Sequence, residues 1–254
     1  MLEASNNLTF DQTVLVLPGP LGEVQADLTI EPGSLARIVF SDPAARRVLA
    51  DTAHGLVAPR GGKVRFCGTA WVDLSEEAAC VERLHIGRYY SAPAWISNLD
   101  LTENLLLRAA QHGAPLEDSR REARTLARSF GLDDLPQVRP TQSTPQELAC
   151  TQLVRAFLGE PKLLILEAPE DELDEEALQA FLSTLQAALR RGAAALWLNS
   201  SKDVSVDDSM LKPTAYTLRE HRLERTAHRS PWAHPSSYAS PTRLRAFSYS
   251  ASFS

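Results

Sequence analysis

Residues 144–174 read TPQELACTQLVRAFLGEPKLLILEAPEDELD, and the order of features in this stretch decides the fold. Thr144, Pro145 and Glu147 have the S/T-x-x-E spacing of a capping box with proline at the first helical position, which predicts a helix from Pro145 to about Leu158. After Pro161, KLLIL at 162–166 is a continuous apolar run of the kind shown by a parallel strand covered on both faces. The segment EAPEDELDEE then puts seven carboxylates into the ten residues from Glu167 to Glu176. It reads as the acidic start of a helix near 175–190 with solvated carboxylates, a metal cluster being the alternative. The apolar run AAALWL at 193–198 is a second buried strand. Strands alternating with helices imply an α/β fold with a mainly parallel sheet.

Outward from this stretch, the first third reads as strands: VLVL at 14–17, ADLTI at 26–30, LARIVF at 35–40 and KVRFCG at 63–68. Pro18-Gly19, Pro32-Gly33 and Gly61-Gly62 mark turns, and ARRVLADTAHGL at 45–56 is a short helical pattern. In the middle third Ala123, Leu126, Ala127 and Phe130 fall at i, i+3, i+4 and i+7, with Gly131 as a stop. From Thr226 to Ser254 there is no Asp or Glu, and the Ser, Pro and aromatic content predicts a disordered basic tail.

At 254 residues and 44% apolar content, the chain suits one large domain or two small ones. No stretch approaches the roughly 18 apolar residues of a bilayer span, and MLEASNNLTF lacks the basic and apolar regions of a secretory leader. Cys67, Cys80 and Cys150 show no CxxC spacing, so the expectation is a reducing cytoplasm with neither a disulfide framework nor a zinc site. A formal net charge of −6 argues against a general nucleic-acid binder.

Three segments together carry a resemblance. LARIVF, the helical pattern after it and GLVAPRGGKVRFCG at 55–68 resemble the opening of an ATP-binding cassette (ABC) transporter ATPase subunit. IGRYYSAPAWISNLDLTENLLL at 86–107 resembles that family's Q-loop and the segment after it. Residues 144–174 resemble its signature helix, Walker B strand and D-loop, in the family's order. The resemblance spans roughly residues 10–225. It implies one ABC-type domain over 1–225: a RecA-like α/β core with an antiparallel β subdomain and a helical subdomain at about 95–158.

The scaffold positions match this family, whereas the chemistry positions depart from it. A working phosphate loop, GxxxxGK[ST], needs glycines so that backbone N–H groups curl around phosphate, a lysine for the β/γ oxygens and a hydroxyl on Mg²⁺. Here the pattern falls on Phe40-Ser41-Asp42-Pro43-Ala44-Ala45-Arg46-Arg47. Pro43 lacks the N–H, Ala45 resists positive φ, Asp42 adds a negative charge beside the phosphate path and Arg47 replaces the hydroxyl. Arg46 keeps a cation at the lysine position, leaving two readings open: weak nucleotide binding, or an ordinary strand-to-helix turn with solvated arginines. Walker B ends on Glu167, able to hold a metal-bound water, but Ala168 occupies the general-base position, whose help is typically worth about 10²–10⁴-fold.

The Q-loop position carries Ser91, too short to bridge metal and helical subdomain. The switch-histidine position falls on Ser200, and His54, His85 and His112 read as surface or boundary residues. In place of LSGGQ, whose helix N-terminus meets phosphate, the chain has Ser143-Thr144-Pro145-Gln146-Glu147, which caps itself. Asp174 matches the D-loop aspartate.

In the family, composite sites pair one subunit's phosphate loop with the other's signature, and this chain departs at both halves. What the resemblance retains is a permease-docking surface at Trp95, Ser97, Asn98, Glu103 and Asn104. The expectation is a non-hydrolysing ABC subunit at the cytoplasmic face of the inner membrane, with no cofactor, or at most weak ATP and Mg²⁺. Its expected partners are a permease and an intact ATPase subunit or a second copy of itself; it binds no nucleic acid and reaches the membrane only through the permease. An active ATPase using Arg46 and Glu167, or a free-standing scaffold, are the alternatives. SNLDLTENLLL at 97–107 is similar to cassettes of lipid-transporting systems.

Overall fold

The computed structural model describes residues 6–93, 95–200 and 211–226. The expected tail therefore lies, beyond Thr226, outside the described residues. Among the described residues ten strands form one sheet in the order β5-β4-β1-β2-β10-β9-β3-β8-β7-β6. The strands are β1 (Leu8–Leu17), β2 (Gly22–Ile30), β3 (Leu35–Val39), β4 (Gly61–Phe66), β5 (Thr69–Ala70), β6 (Ile86–Tyr89), β7 (Leu163–Glu167), β8 (Ala194–Asn199), β9 (Thr214–Arg219) and β10 (Arg222–Arg225).

From β9 through β3, β8 and β7 to β6 all pairings are parallel. By contrast β1 pairs antiparallel with both β2 and β4, β5 with β4, and β10 with β9. β10 meets β2 in parallel, and the sheet thus joins a parallel half to a largely antiparallel part, as the resemblance implies. The burial alternation along β2 gives the reason, since a strand solvated on one face has no need of a crossover helix. Strand β1 begins six residues before the expected VLVL. Its sequence pattern is broken by Asp11-Gln12, where the register shifts and Gln12 takes φ 46°.

The parallel half is buried on both faces, which explains its unbroken apolar runs. In β7, Leu163 and Ile165 join the core under β1 and β2, while Leu164 and Leu166 face the other core. In β8, Leu196 and Leu198 take the first side, Ala195 and Trp197 the second. On that second side Phe130, Phe157, Phe181 and Trp197 form a chain of tilted and edge-on rings with centroids 5.8, 6.3 and 5.2 Å apart.

Among the described residues six α-helices flank the sheet: α1 (Pro43–Ala53), α2 (Glu76–Arg83), α3 (Leu101–Gln111), α4 (Leu116–Ser129), α5 (Pro145–Phe157) and α6 (Glu175–Arg190). Helices α3, α4 and α5 pack on one another, and α5 also lies against the edge strand β6. That approach is made at Gly87, where a Cβ would fall 1.8 Å from the Ala156 carbonyl oxygen. No described helix is long and apolar enough to cross a membrane.

Candidate functional site

The turn from β3 into α1 occupies the phosphate-loop position. Asp42 is the N-cap of α1, and its Oδ1 accepts a hydrogen bond from the Ala44 N–H at 2.9 Å. One of the donors that phosphate would meet is thereby satisfied by the protein itself. The arginines are not both solvated as expected. Arg47 is exposed, but Arg46 is only 4% exposed, because its guanidinium turns back under the loop and Nη1 donates to the Phe40 carbonyl at 2.7 Å.

Glu167, at the end of β7, is 1% exposed. Arg88 of β6 donates from Nε to Glu167 Oε1 at 2.8 Å, with Nη2 2.7 Å from the same oxygen. Ser91 donates to Oε2 at 3.2 Å. The third guanidinium nitrogen of Arg88 reaches Asp51 of α1 at 2.7 Å, and the Tyr90 ring lies 4.4 Å from the guanidinium carbon. A side-chain cation therefore holds the carboxylate that Walker B offers to Mg²⁺. Sequence reasoning missed Arg88, although a charge inside the strand Ile86–Tyr89 demands a buried partner and so signals one.

His54, expected at the surface or boundary, is buried at the C-cap of α1. Burial, then Arg88, Arg83 and Arg108, push its pKa down to about 3, so the imidazole is neutral in ordinary buffers.

Ala168 takes the left-handed conformation, φ 49° and ψ 51°, and its N–H donates to Leu198 O at 2.9 Å. Of the carboxylates after it, Asp171, Glu172, Asp174, Glu175 and Glu176 are exposed, as expected, and Glu170 is the half-buried exception. Glu170 accepts from Trp197 Nε1 at 2.8 Å, Asn199 Nδ2 at 3.0 Å and the Ser200 N–H at 3.0 Å, and burial raises its pKa. Ser200 Oγ donates to Asp171 at 2.7 Å, and the Tyr89 hydroxyl to Glu172 at 2.7 Å. Asp174 caps α6 through the Ala177 N–H at 2.8 Å. Glu175 and Glu176 are exposed, in the manner the acidic pattern predicts. Among the described residues no group of three His, Cys, Asp or Glu side chains is placed to hold a metal ion.

At the signature position the capping box is present. The Glu147 N–H donates to Thr144 Oγ1 at 3.2 Å, while Glu147 Oε2 accepts from the Thr144 N–H at 2.8 Å. Gln146 extends along the helix to Cys150 Sγ, 3.6 Å away. Thr144→Ala removes one half of the box and is expected to cost about 0.5–2 kcal/mol in urea unfolding.

Along the expected docking surface the side chains divide. Asn104 is buried at 7% exposure: its Oδ1 accepts from the Ile96 N–H at 2.9 Å, and Nδ2 donates to the carbonyls of Ile96 and Asp100 at 3.1 and 2.9 Å. It shapes the loop and is not available to a partner. Glu103 completes a capping box with Asp100. Trp95 is half-buried with the Arg155 guanidinium 4.3 Å from its ring, whereas Ile96, Ser97 and Asn98 are exposed.

No family model matches the chain. It is 30% identical over 178 residues to the cytochrome c biogenesis ATP-binding export protein CcmA of Bordetella parapertussis, covering 69% of this chain and 75% of that protein. It is 27% identical over 182 residues to the lipoprotein-releasing system ATP-binding protein LolD 1 of Rhodospirillum rubrum, covering 71% and 80%. Among solved structures, the ATP-binding subunit of an ABC transporter superposes with a TM-score of 0.70 at 20% identity, over 85% of this chain and 87% of that one. The dimeric bacterial ABC transporter cassette MJ0796 gives 0.71 at 15% identity, over 86% and 97%. The fold and the order of its segments thus define an ABC nucleotide-binding domain. The chain belongs to the ABC family of transporter ATP-binding subunits.

Proposed function

We propose that this chain is a non-hydrolysing ABC subunit, contributing structure or regulation to a transport complex. The observation that carries the reading is the Arg88 guanidinium seated on Glu167, with Asp51 as its second carboxylate. Ala168 beside it offers no base, and the helix starts at Asp42 and Thr144 are capped from within. In this reading, residues 1–225 are one domain whose helical part spans about 95–158, and it works at the cytoplasmic face of the membrane through a permease. The exposed tip Ile96-Ser97-Asn98, backed by Trp95, is the docking surface. A second cassette, intact or identical, pairs with it. Relatives named for lipoprotein release support a lipid-type cargo for the assembled system.

Millimolar Mg-ATP is expected to leave the melting temperature unmoved and phosphate release at background. The competing ATPase reading draws on one observation: Arg46 Nε is buried without a hydrogen-bond partner. Saturable Mg-ATP binding that disappears in Arg46→Ala would establish that alternative and overturn the non-hydrolysing one.

A further inference from the structure

Among the described residues eight large apolar side chains are exposed, and four of them, Val16, Leu56, Val57 and Val72, gather around one groove, where they are 45–71% exposed. Its main cavity, about 440 Å³, lies between the loop that follows α1 and the turn Trp71–Asp73, walled by Leu56, Val57, Pro59, Trp71 and Val72. A side pocket of about 150 Å³ shares Val57 and Pro59 and extends the groove to Val16 of β1. We infer that this groove is the docking site of the chain's own segment 227–254, with Trp232 as the anchor. Such docking does not depend on whether the chain hydrolyses ATP.

Single exposed apolar residues are ordinary, but a cluster of them around a concave site marks a surface that something covers. The charges at its rim are matched to each other, Lys63 to Asp73 and Arg60 to Glu23, so an apolar side chain is what the groove has left to bind. Residues 227–254 supply that chemistry. They make up 28 of the 254 residues but hold five of the seventeen aromatic side chains, Trp232, Tyr238, Phe247, Tyr249 and Phe253. Tryptophan is enriched among the anchors of interfaces. Pro231 and Pro235, on either side of it, limit the conformational freedom that this stretch gives up on binding.

Position favours this occupant over a separate partner. The last described residue, Thr226, is fixed by its N–H, which donates to the Ala215 carbonyl at 2.8 Å. Strands β2 and β1 lie between β10 and β4, so the lateral offset to the groove is three strand spacings, about 14 Å. Leu223 pairs with Ala26, Ala26 with Thr13, and the neighbouring Val14 with Gly61, so Leu223 is level with the start of β4, which the groove borders. Thr226 lies about 10 Å further along, which puts the groove about 17 Å away across the sheet. Trp232 is six positions past Thr226 and reaches about 20 Å when extended. A segment tethered this closely has an effective concentration in the millimolar range, so a contact of millimolar affinity is already about half occupied, and a free partner must compete with it. Charge acts in the same direction: of the formal −6, residues 227–254 carry +3 and the remainder −9.

Photo-crosslinking of the full chain tests this. Irradiation of the Trp232→p-benzoylphenylalanine chain is expected to give a crosslink within the monomer, at a yield independent of protein concentration, mapped by mass spectrometry to residues 55–64 or 71–72. Leu56→Asp and Val72→Asp change exposed positions outside the core, and each is expected to lower that yield at least about fivefold, with circular dichroism checking the fold. A product of twice the mass whose yield rises with concentration would assign the segment to a second copy. Crosslinks scattered over the domain, no crosslink, or a yield that neither substitution lowers would mean that the groove does not hold Trp232. Each of these results overturns the inference.

Discussion

Arg88→Met is expected to lower the unfolding free energy by about 3–5 kcal/mol, because it leaves the buried Glu167 carboxylate without its cation. Methionine fills much of the volume, so the loss reports charge more than packing. Urea unfolding followed by circular dichroism reads it as a shift of the midpoint at nearly constant slope. The double variant Arg88→Met/Glu167→Leu is expected to regain most of the loss, since an apolar pair of similar size is often as stable as the ion pair it replaces. If the single change costs under about 1 kcal/mol, or the double change is no better, the guanidinium is not the counter-ion of Glu167.

Gly87→Ala, one residue earlier, is expected to cost at least about 3 kcal/mol through overpacking. The added Cβ would lie 1.8 Å from a backbone carbonyl of α5, and backbone cannot rotate aside as a side chain can. Relief requires α5 to withdraw from β6 by roughly 1.5 Å, which opens the core around Phe157. Limited proteolysis should then cut first around α3, α4 and α5, ahead of global unfolding. A variant with wild-type stability and protection would show that this helix–strand contact is loose.

Much of the architecture was legible because it follows from patterns a few residues long. The box at Thr144 and Glu147, the break at Pro161 and the apolar runs of β7 and β8 each specify their own element, and the structure places them as read. The edge strand β6 and the hairpin of β9 and β10 went unread. Arg88 interrupts the apolar pattern of the first, and the second is short and only partly buried. At the site, the missing glycines and the missing base were visible in the residues, but their replacements were not. Arg88 and Glu167 are 79 positions apart, and Asp51 is a further helix away, so nothing local announces that they meet. The acidic run reads true from Asp171 to Glu176, where every carboxylate is exposed, while Glu167 and Glu170 depart from it for a related reason. Composition suggested solvated carboxylates, whereas Trp197 and Asn199, which claim Glu170, become its neighbours only when β8 is laid beside β7.

If the chain is the non-hydrolysing subunit proposed above, the Arg88 triad also bears on any attempt to engineer turnover into it. Placing a glutamate at residue 168, or a lysine at 46, adds a reacting group to a locked room, because the carboxylate that must greet the metal is already spoken for. Taking the arginine out first exposes the scaffold to the full electrostatic penalty before any benefit exists. On that reading each change is harmful or idle alone, so turnover would demand simultaneous edits, and a stepwise library search through this sequence neighbourhood should stall.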